Sequence, residues 1–107
     1  MRPERRRSVR ICCSGFAEGV SDSPSHLFRG EIRNVSETGC FISVRASVNL
    51  PRDARVQLRF RMGRSEYSAV ARVVETLPGI GVRMQFTVTD PEFTGRMHRI
   101  LSSNTQR

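Results

Sequence analysis

Arg55-Val56-Gln57-Leu58-Arg59-Phe60-Arg61-Met62 alternates without a break: Val56, Leu58, Phe60 and Met62 fall on one side, and Arg55, Gln57, Arg59 and Arg61 on the other. A period of two is that of a strand with one face in a core and one in water. Gly63-Arg64 then offers a turn, and Glu66 to Leu77 reads as the returning strand of a hairpin. Pro78-Gly79 is a further turn. Ile80 to Phe86 follows, with Val82, Met84 and Phe86 on a shared face. Asp90-Pro91-Glu92 reads as a helix start, with Asp90 as N-cap and Pro91 in the first helical position. The helix is predicted to reach about Leu101, with Phe93, Met97, Ile100 and Leu101 on one stripe.

Working back towards the N-terminus, Asn49 to Asp53 is a loop and Cys40 to Val44 a short strand. Asn34-Val35-Ser36-Glu37-Thr38-Gly39 is a polar turn. Leu27 to Val35 is another strand, with Gly30 as a candidate bulge. Ser21 to Ser25 is a turn. Val9 to Val20 is strand-like, with a weak spot at Ser14-Gly15. Six short strands and one helix predict a mainly β domain: an antiparallel six-stranded barrel with a C-terminal α-helix on it or over one mouth. The expected organisation is a flexible basic arm over 1–8, the barrel and helix over 9–101, and a disordered tail over 102–107.

At 107 residues the chain suits one domain. The net charge is +8, and all 18 basic residues are Arg. Such a charge favours an anionic partner. Part of the arginine content reads as compositional bias, so the Arg55/Arg59/Arg61 row is taken as a solvated face. Arg72 and Arg83 are further candidates on an outer surface. Cys12, Cys13 and Cys40 have no metal-binding spacing with each other or with His26 and His98, and read as reduced thiols in a reducing cytoplasm. No signal peptide or membrane helix is expected. No catalytic carboxylate pair or nucleophile–histidine arrangement emerges, so the chain is not expected to be an enzyme.

Two clusters carry the chemistry. Arg5-Arg6-Arg7-Ser8-Val9-Arg10 lies where the arm meets the first strand, and Asn34 to Gly39 begins 24 residues after Arg10. A guanidinium donates two parallel hydrogen bonds to a guanine edge or to phosphate. Asn offers both a donor and an acceptor, and Ser a hydroxyl. Gly39 admits positive φ and close approach of a ligand to the backbone. Together these groups suit a guanine nucleotide with its phosphates.

Arg-Arg-x-x-x-Arg followed by Asn-x-Ser-x-x-Gly resembles the paired signature of PilZ domains, over roughly residues 4–101. The resemblance implies a six-stranded barrel with a C-terminal helix and a receptor for cyclic di-GMP. It implies that Arg6 and Arg10 grip guanine edges and phosphates, and that Arg5 touches ligand and influences whether one or two molecules stack. Asn34 and Ser36 would contact a guanine and its phosphate, and Gly39 would shape the turn. Arg7 acquires no role. Ligand binding would order the arm and signal to a protein partner, with no other cofactor and no metal. Two other readings stand beside this one: a PilZ-fold protein-interaction adaptor that does not bind cyclic di-GMP, and a basic nucleic-acid-binding barrel. One Tyr and no Trp leave the latter few stacking platforms.

Overall fold

The computed structural model describes residues 11–22, 25–46 and 48–105; for Cys12 and for 101–105 it describes the backbone only. The expected arm over 1–8 lies outside the described residues. Six strands form a closed antiparallel barrel in the order β1-β2-β3-β6-β5-β4. They are β1 (Ile11–Asp22), β2 (Ser25–Val35), β3 (Gly39–Ser43), β4 (Arg55–Met62), β5 (Ser65–Leu77) and β6 (Gly81–Thr89). Helix α1 follows at Pro91–Thr105. It continues past Leu101, so residues 102–105, read from the sequence as tail, are helical. Consecutive strands form hairpins except across the barrel, where β3 pairs with β6 and β1 with β4.

The alternation of β4 becomes alternating burial along the whole strand. Its inward side chains join Ile32, Val35, Ile42, Val73, Val82 and Met84 in one core. Burying each such aliphatic or aromatic side chain stabilises the fold by roughly 1.5–3 kcal/mol. The weak spot at Ser14-Gly15 is a register shift between Cys12 and Gly15 against β2. The bulge expected at Gly30 is not there. Gly30 pairs in regular register with Ala17, and β2 shifts instead between Ile32 and Asn34 against β3. Gly30 is needed for another reason: a Cβ there would run into the Ser43 carbonyl oxygen.

Helix α1 closes one mouth. Asp90 caps it, its carboxylate accepting the Glu92 N–H at 3.0 Å. Phe93 and Met97 are fully buried. Arg96 donates to the Met62 carbonyl at 2.8 Å and to the Tyr67 hydroxyl at 3.2 Å, tying the helix to the β4–β5 hairpin. The loop after β3 closes the opposite mouth with buried Val44, Val48 and Leu50.

Cys40 is buried and Cys13 half-buried. Burial, helped by the nearby Cys13, pushes the Cys40 thiol up from 9.0 to about 12. The folded state therefore keeps a proton that the unfolded chain releases above pH 9.0. The stability this gives is complete below pH 9.0 and is lost as pH rises towards 12. One proton corresponds to a slope of about 1.4 kcal/mol per pH unit. Urea melts on either side of pH 9.0 should show this decline, and Cys40→Ala should flatten it.

Candidate functional site

The Asn34–Gly39 segment joins β2 to β3 at the mouth that α1 covers. Its corner is stitched by Ser36. The N–H groups of Thr38 and Gly39 both donate to Ser36 Oγ at 3.2 Å. The Ser36 N–H donates to the Gly39 carbonyl at 2.8 Å, and the Phe86 N–H donates to the Thr38 carbonyl at 2.7 Å. Ser36 is buried, so its hydroxyl is first of all a turn-forming group. On the helix side, His98 Nε2 lies 3.1 Å from a Glu37 carboxylate oxygen.

The register shift just before Asn34 sets the outward row that follows. Asn34 pairs with Phe41, Phe41 with Arg83, and Arg83 with Glu75. A second row runs Gly39–Gln85–Arg72. Between them lies a depression of about 170 Å³ lined by Asn34, Ser36, Gly39, Phe41, Arg83 and Gln85, among others. Arg83 is half-exposed and held by Glu75 at 3.5 Å. Arg72 donates to Asp53 at 2.9 Å and to Gln85 Oε1 at 2.8 Å. The shelf thus offers an amide, an aromatic ring and a guanidinium at paired positions on three neighbouring strands, a set suited to a base and a phosphate.

Asn34, Ser36 and Gly39 are therefore brought together. The reason given for Gly39 needs correcting, because its φ is not among the positive values, which belong to Gly63 and Gly79. Gly39 is close-packed instead: a Cβ there would collide with the Met84 carbonyl oxygen of β6. Arg5, Arg6 and Arg10 lie outside the described residues. Sequence reading missed Phe41 and Gln85 as lining residues and named Arg83, with Arg72, only as a further candidate on an outer surface. The β3–β6 pairing that assembles them joins strands far apart in the chain, and no local pattern announces it. Among the described residues, no group of His, Cys, Asp and Glu could hold a metal ion, and no helix is long and apolar enough to cross a membrane.

No curated protein matches the chain. Among solved structures, the PilZ domain of CeSA from a cellulose-synthesizing bacterium has the same fold. The TM-score is 0.64 at 20% identity, covering 92% of this chain and 99% of that one. The family model for the PilZ domain matches residues 4–103, a span that includes both the arginine cluster and the Asn34–Gly39 turn. With that match, and a barrel of the kind the paired motifs imply, the chain belongs to the PilZ domain family.

Proposed function

We propose that this chain is a cyclic di-GMP receptor module whose N-terminal arginines close over the Asn34–Gly39 shelf and whose closure is read by a partner protein. One observation carries this reading, the register of β1 on β2. Ile11 pairs with Val35 and Cys12 with Asn34. In this reading the chain that precedes Ile11 is the part that meets the corner holding Asn34 and Ser36. Arg6 is five peptide units from Ile11, a reach of at most roughly 17 Å.

A depression of about 170 Å³ is a shelf and not an enclosure. Small-molecule sites usually measure roughly 300–1,000 Å³. A dinucleotide on this shelf needs a second wall, and Arg5, Arg6 and Arg10 are placed in the chain to supply it. Asn34 meets a guanine edge, and Arg83 faces phosphate. Ser36 acts chiefly by holding the corner in shape. Guanidinium contacts to a dianion are charge-assisted, so affinity should weaken with salt.

Isothermal calorimetry tests the reading. Wild type should bind cyclic di-GMP, and Arg6→Ala or Arg10→Ala should each weaken binding by about tenfold to a hundredfold, from roughly 1–3 kcal/mol per bidentate contact. Amide exchange over residues 2–10 should slow when ligand is added. Absence of heat and of competition with wild type at high micromolar ligand would reject the receptor. Unchanged exchange despite binding would reject the closure.

A further inference from the structure

Phe16 stands on the outer face of β1 and is 51% exposed, the only exposed Phe or Tyr among the described residues. Its cross-strand partner is Glu31 on β2, and Glu31 pairs in turn with Ser43 at the end of β3. Arg45 and Ala46 are exposed where the chain leaves β3. Phe16, Glu31, Ser43, Arg45 and Ala46, with Arg29 and Gly30, line one depression of about 330 Å³. The hollow therefore lies on one side of the barrel, bounded by the ring on β1 and the guanidinium beyond β3. An aromatic ring beside an arginine is the composition that protein interfaces concentrate at their centres.

The charges around the ring decide what fits. Glu18 is held by Arg29 at 3.6 Å and Arg59 at 3.4 Å, Glu66 by Arg59 at 3.4 Å, and Glu31 by Arg33 at 3.2 Å. These three carboxylates are taken. Among the described residues Arg45 meets no carboxylate, and neither does Arg61, which shares a smaller hollow with Phe16 on the β4 side. The larger hollow thus has an apolar ring at one end and a guanidinium open to an acid at the other. Two strand spacings separate them, about 10 Å. An extended chain covers that distance in about three residues. Glu31 sits between the two ends. A phosphodiester chain crossing from ring to guanidinium would carry its own negative charge over that carboxylate. A peptide brings N–H donors there instead, and a carboxylate has room to accept more than one. A single ring also gives successive bases no further platform. A second copy of a +8 chain is repelled by the basic end.

We propose that the Phe16–Arg45 hollow docks an extended acidic segment of a partner protein. An apolar side chain of that segment lies against Phe16, and a carboxylate about three residues away meets Arg45. The proposal names the surface that the partner in the receptor reading occupies, and it rests on that reading for the partner's role. The position suits the role: Phe16 is five residues after Ile11, whose cross-strand partner Val35 belongs to the Asn34–Gly39 corner. A segment seated here lies on the strand that directly follows the arginine cluster.

Nitrogen-15 spectra of the full chain test this, with the synthetic peptide acetyl-Glu-Ala-Ala-Leu-Ala-Ala-Glu-amide as probe. The amides of Phe16, Glu31 and Arg45 should shift and saturate with a dissociation constant of about a millimolar, weaker in salt. A lysine-for-glutamate peptide and a short oligouridylate should not shift them. Phe16→Ser and Arg45→Glu change exposed positions, so their thermal melts should match wild type while peptide affinity falls by at least about fivefold. Arg64→Glu, in the β4–β5 turn, should leave it unchanged. Phe16→Ser should still bind cyclic di-GMP as wild type does, and Arg6→Ala should still take the peptide. Missing cyclic di-GMP heat with these peptide shifts intact would count against the receptor alone. No shift at Phe16 in wild type would overturn the docking site. So would an oligouridylate that outcompetes the peptide, or an equal loss in Arg64→Glu.

Discussion

Phe93→Ala should lower the free energy of unfolding by about 3–5 kcal/mol, the range for truncating a buried aromatic. Phe93 is 1% exposed and meets three rings edge-on. Phe60 lies at 5.5 Å and 85°, Tyr67 at 5.6 Å and 64°, and Phe86 at 5.5 Å and 75°. Truncation removes the transfer energy of the ring and opens a cavity that three strands cannot close. It also removes edge-to-face contacts worth about 0.5–1.5 kcal/mol each. Domains of this size hold only about 5–15 kcal/mol in total, so the variant should be near the limit of folding. Urea melts provide the check, with Phe93→Leu as the control that keeps most of the volume. A loss below about 1 kcal/mol for Phe93→Ala would mean that the helix is not part of the cooperative unit. The helix also matters to the Asn34–Gly39 corner: it carries His98 to Glu37, so detaching it removes one support of that turn.

The sequence made some of these features legible and hid others, for physical reasons. Alternation in residues 55–62 revealed β4, because a half-buried strand must place apolar groups at every second position. Asp90-Pro91 revealed the start of α1, because a cap and a preset φ are local chemistry. The end of α1 was less visible. Ser102 to Thr105 have little apolar content, yet the helix continues through them. The shelf was half legible. Asn34, Ser36 and Gly39 stand together in the chain, whereas Phe41, Arg83 and Gln85 join them only through the β3–β6 ladder. Glycines were visible as residues but not as reasons, since Gly30 and Gly39 serve close strand contact where a bulge or a positive φ was expected.

That distinction makes Gly39→Ala the sharpest test of how the corner is built. If Gly39 were needed for a left-handed backbone, Asn would replace it better than Ala, as expected at a position such as Gly79 (φ 76°), where no atom lies near a Cβ. At Gly39 the obstacle is the Met84 carbonyl oxygen, with Met84 carbon at 3.2 Å and Gln85 Cα at 3.3 Å. All three are backbone atoms and cannot swing aside as the tip of a side chain can. Any Cβ must therefore push β3 away from β6, at a cost of about 1–3 kcal/mol for overpacking. The same movement carries the Thr38 and Gly39 N–H groups off Ser36 Oγ and separates Phe41 from Arg83. Ala and Asn should thus be about equally harmful in urea melts. Cyclic di-GMP affinity should fall by tenfold or more in both, even in solutions where the variants remain folded. An Asn variant as stable as wild type would show that the residue serves backbone conformation after all. A stable fold with undiminished affinity would separate the β3–β6 contact from the ligand shelf.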